Sequence, residues 1–179
     1  MLISLQELQL RPFPFKVEIP KGEIDYDSQV KQVSALQAEG VARLLSHSLG
    51  EIEIRGSLAV TVEAPCDRCL ETATVPVNKD FDLLYCPADQ AKGGGEDEIE
   101  GNATEIAFYE GDRLNLNDVL REVVLLALPM RLICSEECKG ICPNCGQNRN
   151  LQQCNCQAEA SDDRWSKLRA LRTELAPRQ

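Results

Sequence analysis

The sequence has few aromatic side chains, a single histidine and no long run of apolar residues. Aromatic residues make up 4% of the 179 positions, which leaves few rings on which nucleic-acid bases could stack. The longest apolar run, at 123–130, is far shorter than the roughly 18 residues that indicate a membrane-spanning helix. Residues 1–10 lack the basic start and the small-residue cleavage site of a secretory signal peptide. We therefore expect no membrane association and a location in the cytoplasm or the plastid stroma.

An excess of basic side chains is also missing. The chain has 19 Lys and Arg against 29 Asp and Glu, and residues 80–122 alone hold 12 acidic and three basic side chains, a net charge of −9. A protein that grips naked RNA through its phosphates needs a broad basic face. We therefore expect direct binding to naked RNA to be weak if it occurs at all. The acidic surface suits a basic partner better, and many basic proteins of the cell are ribosomal proteins.

Recognisable catalytic motifs are absent as well. The glycine-rich stretch at 93–98 is acidic and would repel a phosphate group. His47 has no catalytic motif around it, so we interpret it as a strand residue. The acidic segment 87–101 contains three consecutive glycines and is interpreted as a solvated, flexible loop; the alternative is a docking surface for a cationic partner. These absences favour a protein that is not an enzyme.

Cysteine, by contrast, is abundant. The chain has nine cysteines, and six of them lie between 134 and 156. In a reducing compartment such a density predicts metal binding more strongly than disulfide bonding. Cys142 and Cys145 are two residues apart, with Pro143 bending the turn between them and Gly146 permitting positive φ after it. This arrangement is typical of a zinc knuckle, which supplies two of the four ligands of a tetrahedral zinc.

Eight of the nine cysteines form close pairs, and Cys86 is left over. The pairs are Cys66/Cys69, Cys134/Cys138, Cys142/Cys145 and Cys154/Cys156. Since the last two pairs are separated by a short loop, we assign them to one site. The first two pairs then form a second site that ties the tail of the chain to its body. Two sites of four cysteines predict two Zn²⁺ ions. We expect both ions to be structural, because four thiolates leave no open coordination position for water.

Two alternatives to this assignment stay open. A single zinc could take four ligands from the six C-terminal cysteines and leave Cys66 and Cys69 free. Cys66 and Cys69 could instead form a redox pair, although they lie between predicted strands and not at a helix N-terminus that would lower a thiol pKa.

Most of the remaining pattern predicts strands. Segments 15–20, 51–64, 70–85 and 105–111 alternate apolar and polar residues. Segment 30–46 fits either a helix interrupted at Gly40 or two strands that turn there, and we prefer strands. The two long segments form a hairpin with Cys66–Cys69 at its tip, and Gly56 suggests a bulge. The predicted fold class is α+β: a mostly antiparallel, barrel-like sheet with a buried helix and a C-terminal cysteine-rich zinc-knuckle segment.

The helix predictions complete the domain organisation. Asn115 or Asn117 caps a buried helix at 116–128, which Pro129 ends. We place a β-rich domain at 1–130 and a zinc-binding tail with a short terminal helix at 131–179. That terminal helix begins at Ser161 and either packs on the body or contacts a partner. Its candidate contact residues are Trp165, Lys167, Arg169 and Arg172.

The motifs CDRCL (66–70), ALPMRLIC (127–134) and CKGICPNCG (138–146), followed by Asn150 and CNC (154–156), resemble the YceD family. Members of this family are linked to accumulation of large-subunit ribosomal RNA, and the resemblance spans most of the chain. It implies a non-enzymatic factor for accumulation or processing of 23S rRNA in ribosome biogenesis. Such a factor would act by binding a ribosomal protein or a precursor particle of the large subunit. The alternative is an enzyme, either a thiol oxidoreductase or an RNA-processing enzyme.

Overall fold

The computed structural model describes residues 1–26, 29–46, 48, 50–88 and 105–156. The predicted terminal helix, His47 and all but the start of the predicted acidic loop lie outside these residues. In chain order the elements are β1 (Leu2–Ser4), α1 (Leu5–Leu10), β2 (Phe13–Ile19), β3 (Lys31–Gln32), β4 (Leu36–Leu44), β5 (Ile52–Pro65), β6 (Thr72–Pro87), β7 (Glu105–Tyr109), β8 (Arg113–Asn115) and α2 (Leu116–Ala127). No helix within the described ranges is both long and apolar enough to cross a membrane.

The main sheet has the spatial order β2-β4-β5-β6-β7, and β3 pairs with β5 beyond the end of β4. The pairs are antiparallel except β6 and β7, which run parallel. β1 and β8 form a separate two-stranded sheet. The mostly antiparallel sheet and the long hairpin with its cysteine tip are therefore confirmed. Segment 30–46 forms strands, but the turn expected at Gly40 is wrong, because β4 runs through this residue.

The barrel-like closure predicted from the sequence is wrong. A barrel needs its first and last strands to pair, whereas the strand path through the described residues ends at β2 on one side and at β7 on the other. Helices cover one face of this open sheet instead, with α2 packing against β6 and α1 against β4. Sequence alternation predicts which side chains face the core, but it does not reveal whether the two edges meet.

The bulge predicted at Gly56 is also wrong, because β5 pairs through this residue in unbroken register with both neighbours. Gly56 lies opposite Gly40 on β4 and Phe81 on β6, and Phe15 on β2 lies opposite Gly40. A Cβ atom on Gly40 would lie 2.8 Å from the Phe15 ring, and one on Gly56 would lie 2.9 Å from the Phe81 ring. The glycines therefore make room for phenyl rings from the neighbouring strands β2 and β6.

Helix α2 closes the core as the sequence predicts. The Asn115 side chain caps it by accepting a hydrogen bond from the Asn117 N–H at 3.2 Å, and the helix ends just before Pro129, whose ring disfavours helical backbone in the residue before it. Its buried residues are Leu116, Val119, Leu120, Val123 and Val124. Leu126 is 63% exposed, so the helix is buried along one face and not around its circumference.

The far end of the long hairpin leaves this core. The main apolar cluster reaches Val62 on β5 and Val77 on β6. Beyond that point a separate small cluster contains Cys66, Cys69, Ala73 and Cys138, with Ile133 packed against it. The hairpin therefore presents its tip to the cysteine-rich segment. The division into domains at 1–130 and 131–179 stays a prediction.

Candidate metal centres

The hairpin tip is a tight turn that points two thiols the same way. The Cys66 N–H donates to the Glu71 carbonyl at 2.8 Å, and the Leu70 N–H donates to the Cys66 carbonyl at 2.9 Å. Leu70 has a φ of 64°, a left-handed conformation that is rare for a residue with a branched side chain. These bonds bring Cys66 and Cys69 to one side of the tip, as the spacing predicts.

The two residues between these cysteines attach the tail. The Asp67 N–H donates to the Leu132 carbonyl at 2.8 Å, and an Asp67 carboxylate oxygen accepts from the Leu132 N–H at 2.7 Å. The Arg68 guanidinium donates to the carbonyls of Glu136 at 3.1 Å and Cys138 at 3.0 Å. The tail is therefore held to the tip by hydrogen bonds before any metal is considered.

Gly140 lets the tail approach the tip closely. Its φ is 69°, and a Cβ atom at this position would lie 2.9 Å from the Arg68 carbonyl oxygen. That same oxygen accepts a hydrogen bond from the Ile141 N–H at 2.9 Å. A larger residue at 140 would push the tail away from this contact.

The first four-cysteine group joins tip and tail. It consists of Cys66, Cys69, Cys134 and Cys138, whose sulfur atoms all lie within 4.8 Å of one another. The Cys66 and Cys138 sulfurs are 3.9 Å apart, and those of Cys69 and Cys134 are 3.6 Å apart. These distances are too long for a disulfide bond, which is about 2.05 Å. They lie close to the edge of about 3.8 Å that a tetrahedron with Zn–S bonds of about 2.3 Å requires.

Backbone N–H groups point at the sulfur of Cys66. The Arg68 N–H donates to it at 3.4 Å and the Cys134 N–H at 3.3 Å. Burial alone would raise the pKa of the Cys66 thiol, but the N–H donors of Cys134, Arg68 and Cys69 outweigh burial and lower this pKa to about 6. Stabilised thiolates of this kind are the form in which cysteine binds a metal.

Asn150 supports a second sulfur of the same group. Its side-chain amide donates to the Cys138 sulfur at 3.2 Å, and its side-chain oxygen accepts from the Lys139 N–H at 2.7 Å. The Asn150 amide is the largest cause of a lowered pKa at Cys138. Because Asn150 belongs to the loop of the second group, it links the two groups.

The second four-cysteine group is local. It consists of Cys142, Cys145, Cys154 and Cys156, and its sulfur atoms also lie within 4.8 Å of one another. The knuckle turn is closed by the Gly146 N–H, which donates to the Cys142 carbonyl at 2.8 Å, with Gly146 at a φ of 72°. The backbone N–H groups of Cys145 and Asn144 lower the pKa of the Cys142 thiol to about 6. Cys142 is buried, whereas Cys145 and Cys156 are exposed.

Each group contains thiols that resist ionisation as well as thiols that favour it. A hydrogen bond with the Cys145 sulfur and burial raise the pKa of Cys156 to about 12. At Cys69, a backbone hydrogen bond from Glu71 lowers the pKa, but burial and the neighbouring sulfurs together raise it to about 12. Several thiolates this close repel one another. A divalent cation would remove that repulsion, so the donor sets fit a metal ion.

The structure brings the eight paired cysteines together in the two groups that their spacing predicts. Within the described chain, Cys86 belongs to neither group. Metal binding by these residues stays a prediction. Trp165, Lys167, Arg169 and Arg172, the predicted partner contacts, lie outside the described residues.

Sequence reasoning missed the residues that support the sulfurs and the tail. Asp67 and Arg68 lie between the two cysteines of a C-x-x-C pair. Charged side chains in such a short turn were a signal that another segment of the chain binds to it. Asn150 belongs to the motifs that resemble the YceD family, but they did not reveal its contact with Cys138, which lies 12 positions away.

Comparison with known proteins places these features in a family. A model of the family described as large ribosomal RNA subunit accumulation protein YceD matches residues 54–172. The chloroplastic large ribosomal RNA subunit accumulation protein YCED homolog 1 of Arabidopsis thaliana is 24% identical over 146 residues, which cover 70% of this chain and 46% of the relative. The uncharacterised protein YlbN of Bacillus subtilis is 23% identical over 150 residues, which cover 82% of this chain and 80% of the relative.

The plant relatives are longer proteins, and this chain spans about half of their length. No solved structure matches the chain. The family match covers most of the long hairpin, helix α2 and all eight clustered cysteines. Since it extends over well more than half of the sequence, the chain belongs to the YceD family of large ribosomal RNA subunit accumulation proteins.

Proposed function

We propose that this chain is a non-enzymatic factor for the accumulation of large-subunit ribosomal RNA, and that two structural zinc ions fix its cysteine-rich tail to its sheet. The observation that carries the proposal is the family match over residues 54–172, which includes both four-cysteine groups. The family is named for accumulation of this RNA.

The donor atoms support zinc over metals that prefer oxygen ligands. Each group offers four sulfurs and no oxygen or nitrogen side chain. Soft thiolates in a tetrahedral set favour zinc, while Mg²⁺ and Ca²⁺ prefer oxygen ligands. Four thiolates also complete the coordination of the ion and leave no position for a reacting water. This supports a structural role for the metal and a non-enzymatic role for the protein.

The charge of the chain supports a protein or particle as its partner. With a net charge of −10, the chain would be repelled by the phosphates of naked RNA. A basic ribosomal protein, or a precursor particle of the large subunit that displays one, offers the opposite charge. The names of the plant relatives place those proteins in the chloroplast. For this chain we propose the cytoplasm or the plastid stroma.

Depletion and complementation in cells test this function. In cells that lack the protein, we expect the ratio of mature large-subunit to small-subunit rRNA to fall and precursor particles to accumulate. Wild-type protein restores the ratio. Cys69→Ser does not, because the tail loses the zinc ion that fixes it to the hairpin tip. An unchanged rRNA ratio after complete depletion would overturn the proposal.

A further inference from the structure

Strand β7 ends the main sheet on one side. Within the part of the chain that the structure describes, β7 pairs with β6 and no strand pairs with its other edge. An open edge carries a row of unpaired backbone N–H and C=O groups, which is a template for a further strand.

The opposite edge of the sheet is protected, whereas β7 is not. Strand β2 carries Pro14, which has no N–H to donate, and exposed side chains at Lys16 and Glu18. Proline and lysine are common means of blocking an edge. The β7 sequence, EIAFY, has neither. The two edges of one sheet therefore differ in how readily another strand can join.

The face of the sheet next to the open edge is apolar. In the parallel register, Leu84 lies beside Ile106 and Cys86 lies beside Phe108. Because side chains alternate along a strand, these four residues share the face that points away from the core, while Tyr85 and Tyr109 are buried on the other face. We call these four residues the edge patch. Phe108 is 57% exposed, so more than half of this residue is open to solvent.

The surroundings of the edge patch are acidic. Glu110 and Asp112 follow β7 directly and are exposed, and the one ion pair that Asp112 makes among the described residues is a loose contact with Arg113 at 3.7 Å. An occupant of this edge therefore meets a negative field as well as an apolar strip.

We propose that β7 is a docking edge for an extended basic segment of a partner protein, which adds to the sheet as a further strand. Backbone hydrogen bonds to β7 supply affinity. Apolar side chains of the segment cover Phe108 and Ile106, and its lysines or arginines lie near Glu110 and Asp112. This inference rests on the proposed function in so far as both call for a basic protein partner.

A designed peptide tests the edge directly. The probe is a short fluorescein-labelled peptide of alternating lysine and valine, with a glutamate–valine peptide and oligolysine as controls. Fluorescence anisotropy measures affinity, and amide hydrogen exchange of the full chain locates the site. We expect the lysine–valine peptide to bind more tightly than both controls and to slow exchange at β7 amides.

A matched pair of variants separates the edge from general charge effects. Phe108→Lys removes the exposed ring and gives β7 the kind of side chain that protects β2. Leu10→Lys makes the same change in charge at another exposed apolar residue, on α1. We expect Phe108→Lys to weaken peptide binding about tenfold or more, the effect of losing a central apolar anchor, and Leu10→Lys to have a much smaller effect.

Several outcomes overturn the inference. One is an equal loss of affinity in the two variants, and another is equal binding of oligolysine, which would show charge attraction without strand addition. A third is slow exchange at β7 without peptide. If this protection depends on protein concentration, a second copy of the chain occupies the edge; if it does not, the chain covers its own edge.

The inference and the proposed function fail in distinguishable ways. If cells carrying Phe108→Lys keep a normal rRNA ratio while depleted cells do not, the docking edge is wrong and the proposed function stands. If depletion itself leaves the ratio unchanged, the proposed function fails whatever the peptide does.

Discussion

The two four-cysteine groups use the same ligands at different distances along the chain. The first joins Cys66 to Cys138, 72 positions apart, whereas the second spans only the 15 residues from Cys142 to Cys156. Closing a longer loop restricts the unfolded chain more, by roughly 1–2 kcal/mol for this difference in length. Three thiols of the first group are buried, while only Cys142 is buried in the second. The first group therefore determines where the tail lies, and the second determines the shape of the tail.

Breaking one group at a time tests this difference, and we expect this to be the largest effect. Purified protein holds about two equivalents of zinc, and Cys69→Ser and Cys145→Ser each lower the count to about one. Cys69→Ser lowers the free energy of unfolding by roughly 2–5 kcal/mol, similar to removal of a native cross-link. Cys145→Ser has a smaller effect because its loop is short. Native mass spectrometry gives the zinc count, and denaturant unfolding gives the stability.

Two results would contradict this prediction. If Cys69→Ser keeps the same zinc count as the wild type, the site between tip and tail is wrong. If both variants lose the same stability, the length of the loop does not matter. Cys86→Ser serves as the control for loss of a thiol, with an unchanged zinc count.

The rates at which the two groups release zinc give a second test of the difference between them. Because Cys145 and Cys156 are exposed, we expect a chelator to take the zinc of the second group first, with a rate at least about tenfold higher than that of the buried first group. Release followed with a coloured zinc indicator then shows two phases of about one equivalent each. Cys145→Ser lacks the fast phase and Cys69→Ser lacks the slow phase. A single phase in the wild-type protein would mean that the groups open together.

The smallest effect is expected at the residue that links the groups. Asn150→Ala removes the hydrogen bond to the Cys138 sulfur, worth about 1 kcal/mol, and leaves two zinc ions bound. The slow phase of zinc release becomes faster while the fast phase stays the same. Gln152→Ala, which removes an exposed hydrogen bond to Gln147 in the same loop, is the control. Equal rates for Asn150→Ala and the wild type would show that the amide does not hold Cys138.

Cysteine spacing was informative because the thiols that bind one metal ion must lie close together. Two thiols two to four residues apart reach one ion whatever the fold around them, so the grouping of the eight cysteines followed from the sequence. The long strands were predicted equally well. One face of each is buried and the other is not, so apolar and polar residues alternate along the sequence. Spacing could not place Asp67, Arg68 and Asn150, because their partners come from distant segments or from the backbone.

Apart from the cysteine groups, contacts between distant elements were the part that the sequence did not predict. Which strands lie at the edges of the sheet depends on how the strands pair. The alternation of apolar and polar residues along a strand does not predict its pairing partners. Gly56 looked like a bulge because a glycine inside a strand has several causes. Its real cause, the ring of Phe81 on a neighbouring strand, lies 25 residues further along the chain.

The row of Phe15, Gly40, Gly56 and Phe81 also has a consequence for how the sheet folds. The two central strands meet at a pair of glycines, which offer no side chain to bury and leave the backbone more freedom in the unfolded chain than other residues do. A hairpin of β4 and β5 alone is therefore weak at its middle. The hairpin becomes stable only when Phe15 of β2 and Phe81 of β6 pack against its glycines. We therefore expect the four strands to fold as one cooperative unit. An isolated β4–β5 peptide should be unstructured in water.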